Sequence, residues 1–189
     1  KQHNLTGTNA PRSARPTMCR SLSPLPMARL PLPERTNGAG FTPRTQAAHA
    51  AGPRTCTVRL ATLAECAHLP ALEQDAARAF ASIPELAWLV GGATMPATAH
   101  QHCVATQTCW VGVEATGQLR GFLSATPCGQ TLHIQEMSVA QAAQGHGLGR
   151  RLLRSACQAA QERGMRHVTL TTFLAVPWNA PFYASAGFC

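Results

Sequence analysis

Apolar and polar positions fall into two rhythms along this chain, and both begin near residue 56. Short segments rich in apolar and β-branched residues mark CTVRLAT (56–62), CWVGVEA (109–115), QLRGFLSATP (118–127), TLHIQEMSVA (131–140) and HVTLTTFLAV (167–176) as strands. A period near 3.6 puts Leu63, Leu69, Leu72, Ala76, Ala79 and Phe80 on one stripe of a helical segment over 62–81. The same period gathers Leu148, Leu152, Leu153, Ala156 and Ala160 on a helix over 147–163, which Gly164 closes. Thr62, with Glu65 three residues on, forms a capping box, and Pro70 is expected to split its segment into two short helices. Residues 82–92 read as a loop with apolar anchors and 96–106 as a weaker helix. Thr116-Gly117 and residues 128–130 are turns joining three adjacent antiparallel strands. The crossover helix makes the strand over 167–176 parallel to that over 131–140. Asn179 and Pro181 open a last short helix. The order β-α-α-β-β-β-α-β-α-β defines an α+β fold: a mixed sheet flanked by helices.

Residues 1–53 have no such rhythm. Eight prolines there break helices and central strands, so the segment is expected to be a disordered leader, with residues 54–189 forming the domain. The leader holds seven cations against Glu34 alone, a net of +6, and the rest of the chain nets only +2. The formal +8 therefore describes the leader, not a binding surface of the domain. Phe41 is the leader's only aromatic residue, so nucleic acid is not an expected partner. No apolar run approaches the ~20 residues a bilayer requires, and the N-terminus lacks an apolar signal core. Eight cysteines occur without a C-x-x-C pair and read as reduced thiols of a cytoplasmic protein. His100, His102, Cys103 and Cys109 cluster at a spacing that fits no standard zinc pattern, so no metal is expected.

The chemistry concentrates where the strand over 131–140 turns into the helix over 147–163. Gly145, Gly147 and Gly149 strip side chains from that turn, leaving backbone N–H groups at the positive end of a helix dipole. That is a site for a phosphate-bearing ligand. It is not a P-loop, which needs a lysine, because Lys1 is the chain's only one. Nor is it a dinucleotide fingerprint: Arg150 stands where the third glycine belongs, and no carboxylate lies near position 169.

Gln144-Gly145-His146-Gly147-Leu148-Gly149 resembles the Q/R-x-x-G-x-G/A acetyl-CoA signature of the GNAT superfamily of N-acetyltransferases. VPWNAPFYASAGF (176–188) is similar to the closing segment of bacterial members, in which an Asn precedes a Tyr by four residues. The likeness runs from about Cys56 to Phe188. It implies acetyl-CoA as co-substrate, its pyrophosphate on the backbone of Gln144, Gly145, His146, Gly147, Leu148, Gly149 and Arg150. It further implies that Met137, Ser138 and Val139 present backbone to the pantetheine arm, that Asn179 contacts the same arm, and that Tyr183 is the general acid for the departing thiolate.

The base is left open between two residues. Glu136 is the sole acid of its strand, on the face of Leu132, Ile134 and Ser138 if the strand is regular; burial there would raise its pKa. His133 has a suitable pKa without help, and a bulge could turn either one toward a cleft. Glu73, Asp75, Glu85 and Trp88 are candidates to hold the acceptor, with Glu73 and Asp75 read as a solvated helix face. The expected reaction is direct acetyl transfer, in a ternary complex, to a primary amine of a small molecule or peptide. The alternative is a catalytically impaired CoA-binding fragment. Family members continue beyond the position of Cys189, so the sheet is expected to lack its last strand. An exposed edge of that kind favours pairing with another chain, a homodimer included.

Overall fold

The computed structural model describes residues 17–19, 56–173 and 176–188. Among these residues six strands form one sheet: β1 (Thr17–Cys19), β2 (Thr57–Leu60), β3 (Cys109–Val113), β4 (Leu119–Cys128), β5 (Thr131–Val139) and β6 (His167–Thr172). Their order across the sheet is β1-β6-β5-β4-β3-β2. β5 and β6 are parallel, and every other pairing is antiparallel. The mixed sheet and the element order from β2 to α4 are those expected; among the described residues no strand follows α4. β1 was not expected: three residues of the segment read as leader pair along the outer edge of β6, Thr17 opposite Thr172. The rest of the leader expectation lies outside the described residues.

Among the described residues, four α-helices accompany the sheet: α1 (Leu69–Ala77), α2 (Ala97–Ala105), α3 (Leu148–Glu162) and α4 (Asn179–Ser185). The segment around Pro70 does divide. Residues Leu63–His68 form a 3-10 turn, and Pro70 enters the first turn of α1, where its missing N–H costs nothing. At the start of that turn the Thr62 N–H donates to Glu65 Oε2 at 2.8 Å. The stretch read as a loop at 82–92 contains another 3-10 turn, Pro84–Leu89, anchored by buried Leu86.

Each face of the sheet has its own core. On one, α3 packs Leu148, Leu152, Leu153, Ala156 and Ala160 against Leu123, Ala125, Leu132 and Ile134. On the other, Leu69 and Leu72 of α1 and Cys103 of α2 meet Val111, Val113 and Phe122. Truncating any of the buried leucines to alanine would cost about 2–5 kcal/mol. Leu148 fixes the start of α3. Its side chain lies over Gly112 and Gly121, where an added Cβ on Gly112 would come within 2.5 Å of Leu148 Cδ1. Two strand glycines thus let the helix N-terminus sit directly on the sheet.

β5 is not regular. Glu136 lies opposite Ser124 while Ile134 lies opposite Ala125, which leaves Gln135 as an extra, bulged residue. The bulge reverses the alternation of faces. Leu132 and Ile134 belong to the α3 side, whereas Glu136 and Ser138 face the α1 side with Ser124 and Phe122. The expectation that Glu136 shares a face with Leu132 and Ile134 is corrected accordingly. At the same place β5 and β6 separate, since their pairing ends at Ile134 and Leu170.

Candidate active site

A cleft of about 600 Å³ opens where β5 and β6 part. One wall is Gln135 to Val139 with the glycine turn, and the other is the end of β6 with α4. The α1 helix closes the far side through Glu73, Ala76 and Ala77.

The glycine turn reaches its shape through two positive φ angles, +77° at Gly145 and +76° at Gly147. Gly147 caps α3 in the left-handed conformation that a side chain rarely adopts. The first amides of α3 have no intrahelical acceptor, so this end can hold an anion. Gln144 Nε2 donates to the Val139 carbonyl at 3.0 Å, which ties the turn to the end of β5 and occupies that carbonyl. Gly145, Gly147 and Gly149 line the cleft, and Phe182 Cζ would stand 3.4 Å from a Cβ on Gly149.

Other members of the predicted turn set behave differently. Leu148 contributes only backbone there, because its side chain is buried in the core. The His146 side chain is exposed and folds back on the Gln144 carbonyl at 2.7 Å. Arg150 lines the cleft while its Nη2 donates to Ser185 Oγ at 2.9 Å; Arg151 instead turns to the Cys56 carbonyl. The Arg151 backbone N–H does donate to the Gly147 carbonyl at 3.2 Å.

Glu136, Tyr183 and Asn179 all line the same cleft. Burial pushes the Glu136 carboxyl above the ordinary range, partly offset by the Ser138 hydroxyl, which donates to Glu136 Oε1 at 2.8 Å, and by the Met137 amide. Ser138, expected to offer only backbone, therefore also orients this carboxylate. Tyr183 is packed edge-on against Phe182 and Phe188, at centroid distances of 5.0 and 5.9 Å. Burial first and the Glu136 charge second push its phenol up to about 12, so it keeps its proton. Asn179, one turn earlier on α4, donates to Thr172 Oγ1 at 2.8 Å and braces the helix against β6.

His133 lies outside this group. It belongs to the stretch where β5 and β6 are still paired, and its Nδ1 meets Thr169 Oγ1 at 2.9 Å. The cleft lining on β5 begins one residue later, at Ile134.

Glu73 is the reverse case. Read as a solvated helix residue, it lines the cleft, half-buried, with Oε2 accepting the Met95 N–H at 3.0 Å. Burial first, and then the charge of Glu136, push its carboxyl up to about 7. The signal was in the helix register: Glu73 stands four residues after Leu69 and one after Leu72, both buried, on the flank of the apolar stripe. Asp75 faces elsewhere and accepts the Gln141 N–H at 2.9 Å. Glu85 and Trp88 are exposed, the indole N–H donating to the Glu85 carbonyl. Beneath Glu136, buried His100 Nδ1 meets Ser124 Oγ at 2.8 Å and Cys109 Sγ lies 3.3 Å from the same oxygen, so two of the metal-like cluster serve a core hydroxyl. Among the described residues, no helix is long and apolar enough to cross a membrane.

A sequence model of the acetyltransferase (GNAT) family matches residues 71–188, which span the whole cleft. Solved structures share the fold. A mutant of the BH1408 protein from Bacillus halodurans is 18% identical, with 69% of this chain and 91% of that one covered at a TM-score of 0.56. The PaiA N-acetyltransferase from Thermoplasma acidophilum, solved in complex with coenzyme A, is 12% identical over 69% of this chain and 87% of its own, at a TM-score of 0.58. Ard1 from Thermoplasma volcanium is 16% identical over 71% and 83%, at a TM-score of 0.57. With its glycine turn, its parted parallel strands and this match over more than half its length, the chain belongs to the GNAT family of acetyltransferases.

Proposed function

We propose that the chain transfers an acetyl group from acetyl-CoA to a primary amine of a small molecule or peptide. The observation that carries this reading is the meeting of Glu136 and Tyr183 in one cleft that ends at a helix N-terminus lined by Gly145, Gly147 and Gly149. The residues fit coenzyme A. Bare amides at the glycine turn suit its pyrophosphate. The gap between β5 and β6 suits its extended arm, with Met137, Ser138, Val139 and Asn179 along it. PaiA, a fold neighbour solved with coenzyme A, supports the same choice of ligand.

The two titrating residues then divide the work. An alkylammonium must lose a proton before its nitrogen can attack, and Glu136, with its carboxyl raised by burial, takes that proton directly or through one water. The nitrogen bonds to the thioester carbonyl carbon, the carbon–sulfur bond breaks, and the Tyr183 hydroxyl protonates the leaving sulfur; the second proton of the attacking nitrogen, lost as the neutral amide forms, returns to the Tyr183 phenolate directly or through water. A phenol raised to about 12 stays protonated until that moment. Direct attack requires both substrates together.

Thiol release from acetyl-CoA, screened across polyamines, amino acids, aminoglycosides and peptide N-termini, tests the proposal. Release that depends on an amine, with N-acetylated product, is the expected result. Coenzyme A binding with no release for any amine would instead mark a CoA-binding fragment.

A further inference from the structure

Phe80 and Trp178 have no part in the chemistry above, yet both line the cleft. Phe80 belongs to the 3-10 turn Arg78–Ser82 that continues α1, and Trp178 precedes α4 on the opposite side. Their rings are nearly parallel, 11° apart, with centroids separated by 6.2 Å. Trp178 is still 43% exposed. That spacing is offset stacking, which leaves indole surface free for a further flat group.

Position along α1 supplies a length. Glu73 and Phe80 are seven residues apart and both line the cleft, so the helix carries them down one wall. At the rise of α- and 3-10 helices that separation is about 10–12 Å. One end carries two carboxyls, since Glu73 and Glu136 line the same cleft. The other is aromatic. Between them Ala76 and Ala77 offer only methyl groups.

We infer that the acceptor is an arylalkyl primary amine, its nitrogen between Glu73 and Glu136 and its ring stacked on the free indole surface of Trp178, which Phe80 backs; carboxyls at one end and indole at the other clamp the amine along the cleft. The inference rests on the amine acetyltransferase reading and names the substrate class of the same site. An aliphatic chain of about five carbons spans the 10 Å between carboxylates and rings.

Binding, measured by calorimetry on the full chain with and without coenzyme A, tests the clamp separately from turnover. Phenylpentylamine is expected to bind about tenfold tighter than cyclohexylpentylamine, which is equally apolar but not flat. It is also expected to bind more tightly than phenylethylamine, whose chain is too short to reach. Trp178→Leu should bring the phenyl and cyclohexyl amines within about twofold, with Phe80→Leu as the second variant should the first lose its cooperative unfolding. Equal affinities in the wild type, no binding of either amine, or a preference that survives both substitutions would overturn the clamp. Ring-selective binding with no thiol release for any amine would leave the clamp standing and remove the amine acetyltransferase reading.

Discussion

The two sides of the cleft are made in different ways. The side proposed to hold coenzyme A is mostly backbone: a turn with φ of +77° and +76° and the first amides of α3. The side that fits the acceptor is made of side chains on α1, held by distant partners such as Met95. Backbone shape follows from local sequence, so the first side is compact in the chain. Side-chain environment follows from packing, so the second is scattered. Glu65 and Glu73 show the difference. Arg59, its guanidinium 2.6 Å from the carboxylate, holds the first down at about 2, chiefly by hydrogen bonding. The second, eight residues on, is pushed by burial and the Glu136 charge up to about 7. Nothing in the two side chains themselves separates them.

If the two sides are independent, substitutions should separate them as well. Of the substitutions that separate the two sides, the largest effect is expected from Tyr183→Phe, which keeps the ring packing and removes the acid. Its kcat should fall about 10²-fold, with acetyl-CoA affinity little changed, as steady-state and equilibrium binding measurements would show. Next comes Gly147→Val. A β-branched residue at φ +76° strains the turn by about 1–3 kcal/mol and displaces its amides. The Kd for acetyl-CoA should rise about tenfold or more while amine binding by calorimetry stays the same.

Glu73→Gln should do the opposite, weakening the amine several-fold and leaving acetyl-CoA affinity unchanged. It carries a second, smaller signature. The folded-state pKa of Glu73 lies above the unfolded value, so the folded protein binds more protons between pH 4.5 and about 7. Stability therefore falls as pH rises through that window. Removing the charge should stabilise the protein at pH 8 by roughly 1 kcal/mol, discounted because Glu73 is only half-buried, and should change little at pH 4. Urea unfolding at the two pH values checks the sign.

The elements of the domain could be read from the sequence because their periods are clean. The stripe from Leu148 to Ala160 and the turn at Gly145, Gly147 and Gly149 each reflect one local requirement. Asn179 and Tyr183 were singled out by the likeness of residues 176–188 to the closing segment of bacterial family members, and they stand one helical turn apart on α4. What escaped was set by contacts distant in sequence. The extra residue at Gln135 is visible only once β4 lies beside β5, and it decides which face Glu136 takes. His133 remained a rival base until its pairing with Thr169 was known. Glu73 looked solvated because its neighbours, Met95 and Glu136, are far along the chain.

The central claim is that Glu136 takes the proton of the amine. Its most direct test is the pH dependence of kcat/KM for wild type and Glu136→Gln, using an amine whose own pKa lies above about 9 so that its titration separates from the enzyme's. The wild type should gain activity as the pH rises above the ordinary carboxylate range, where the raised Glu136 carboxyl becomes charged. Glu136→Gln should be slower by about 10²-fold or more and should lose that limb, keeping only the rise that belongs to the amine. An unchanged rate and an unchanged limb in Glu136→Gln would contradict the assignment.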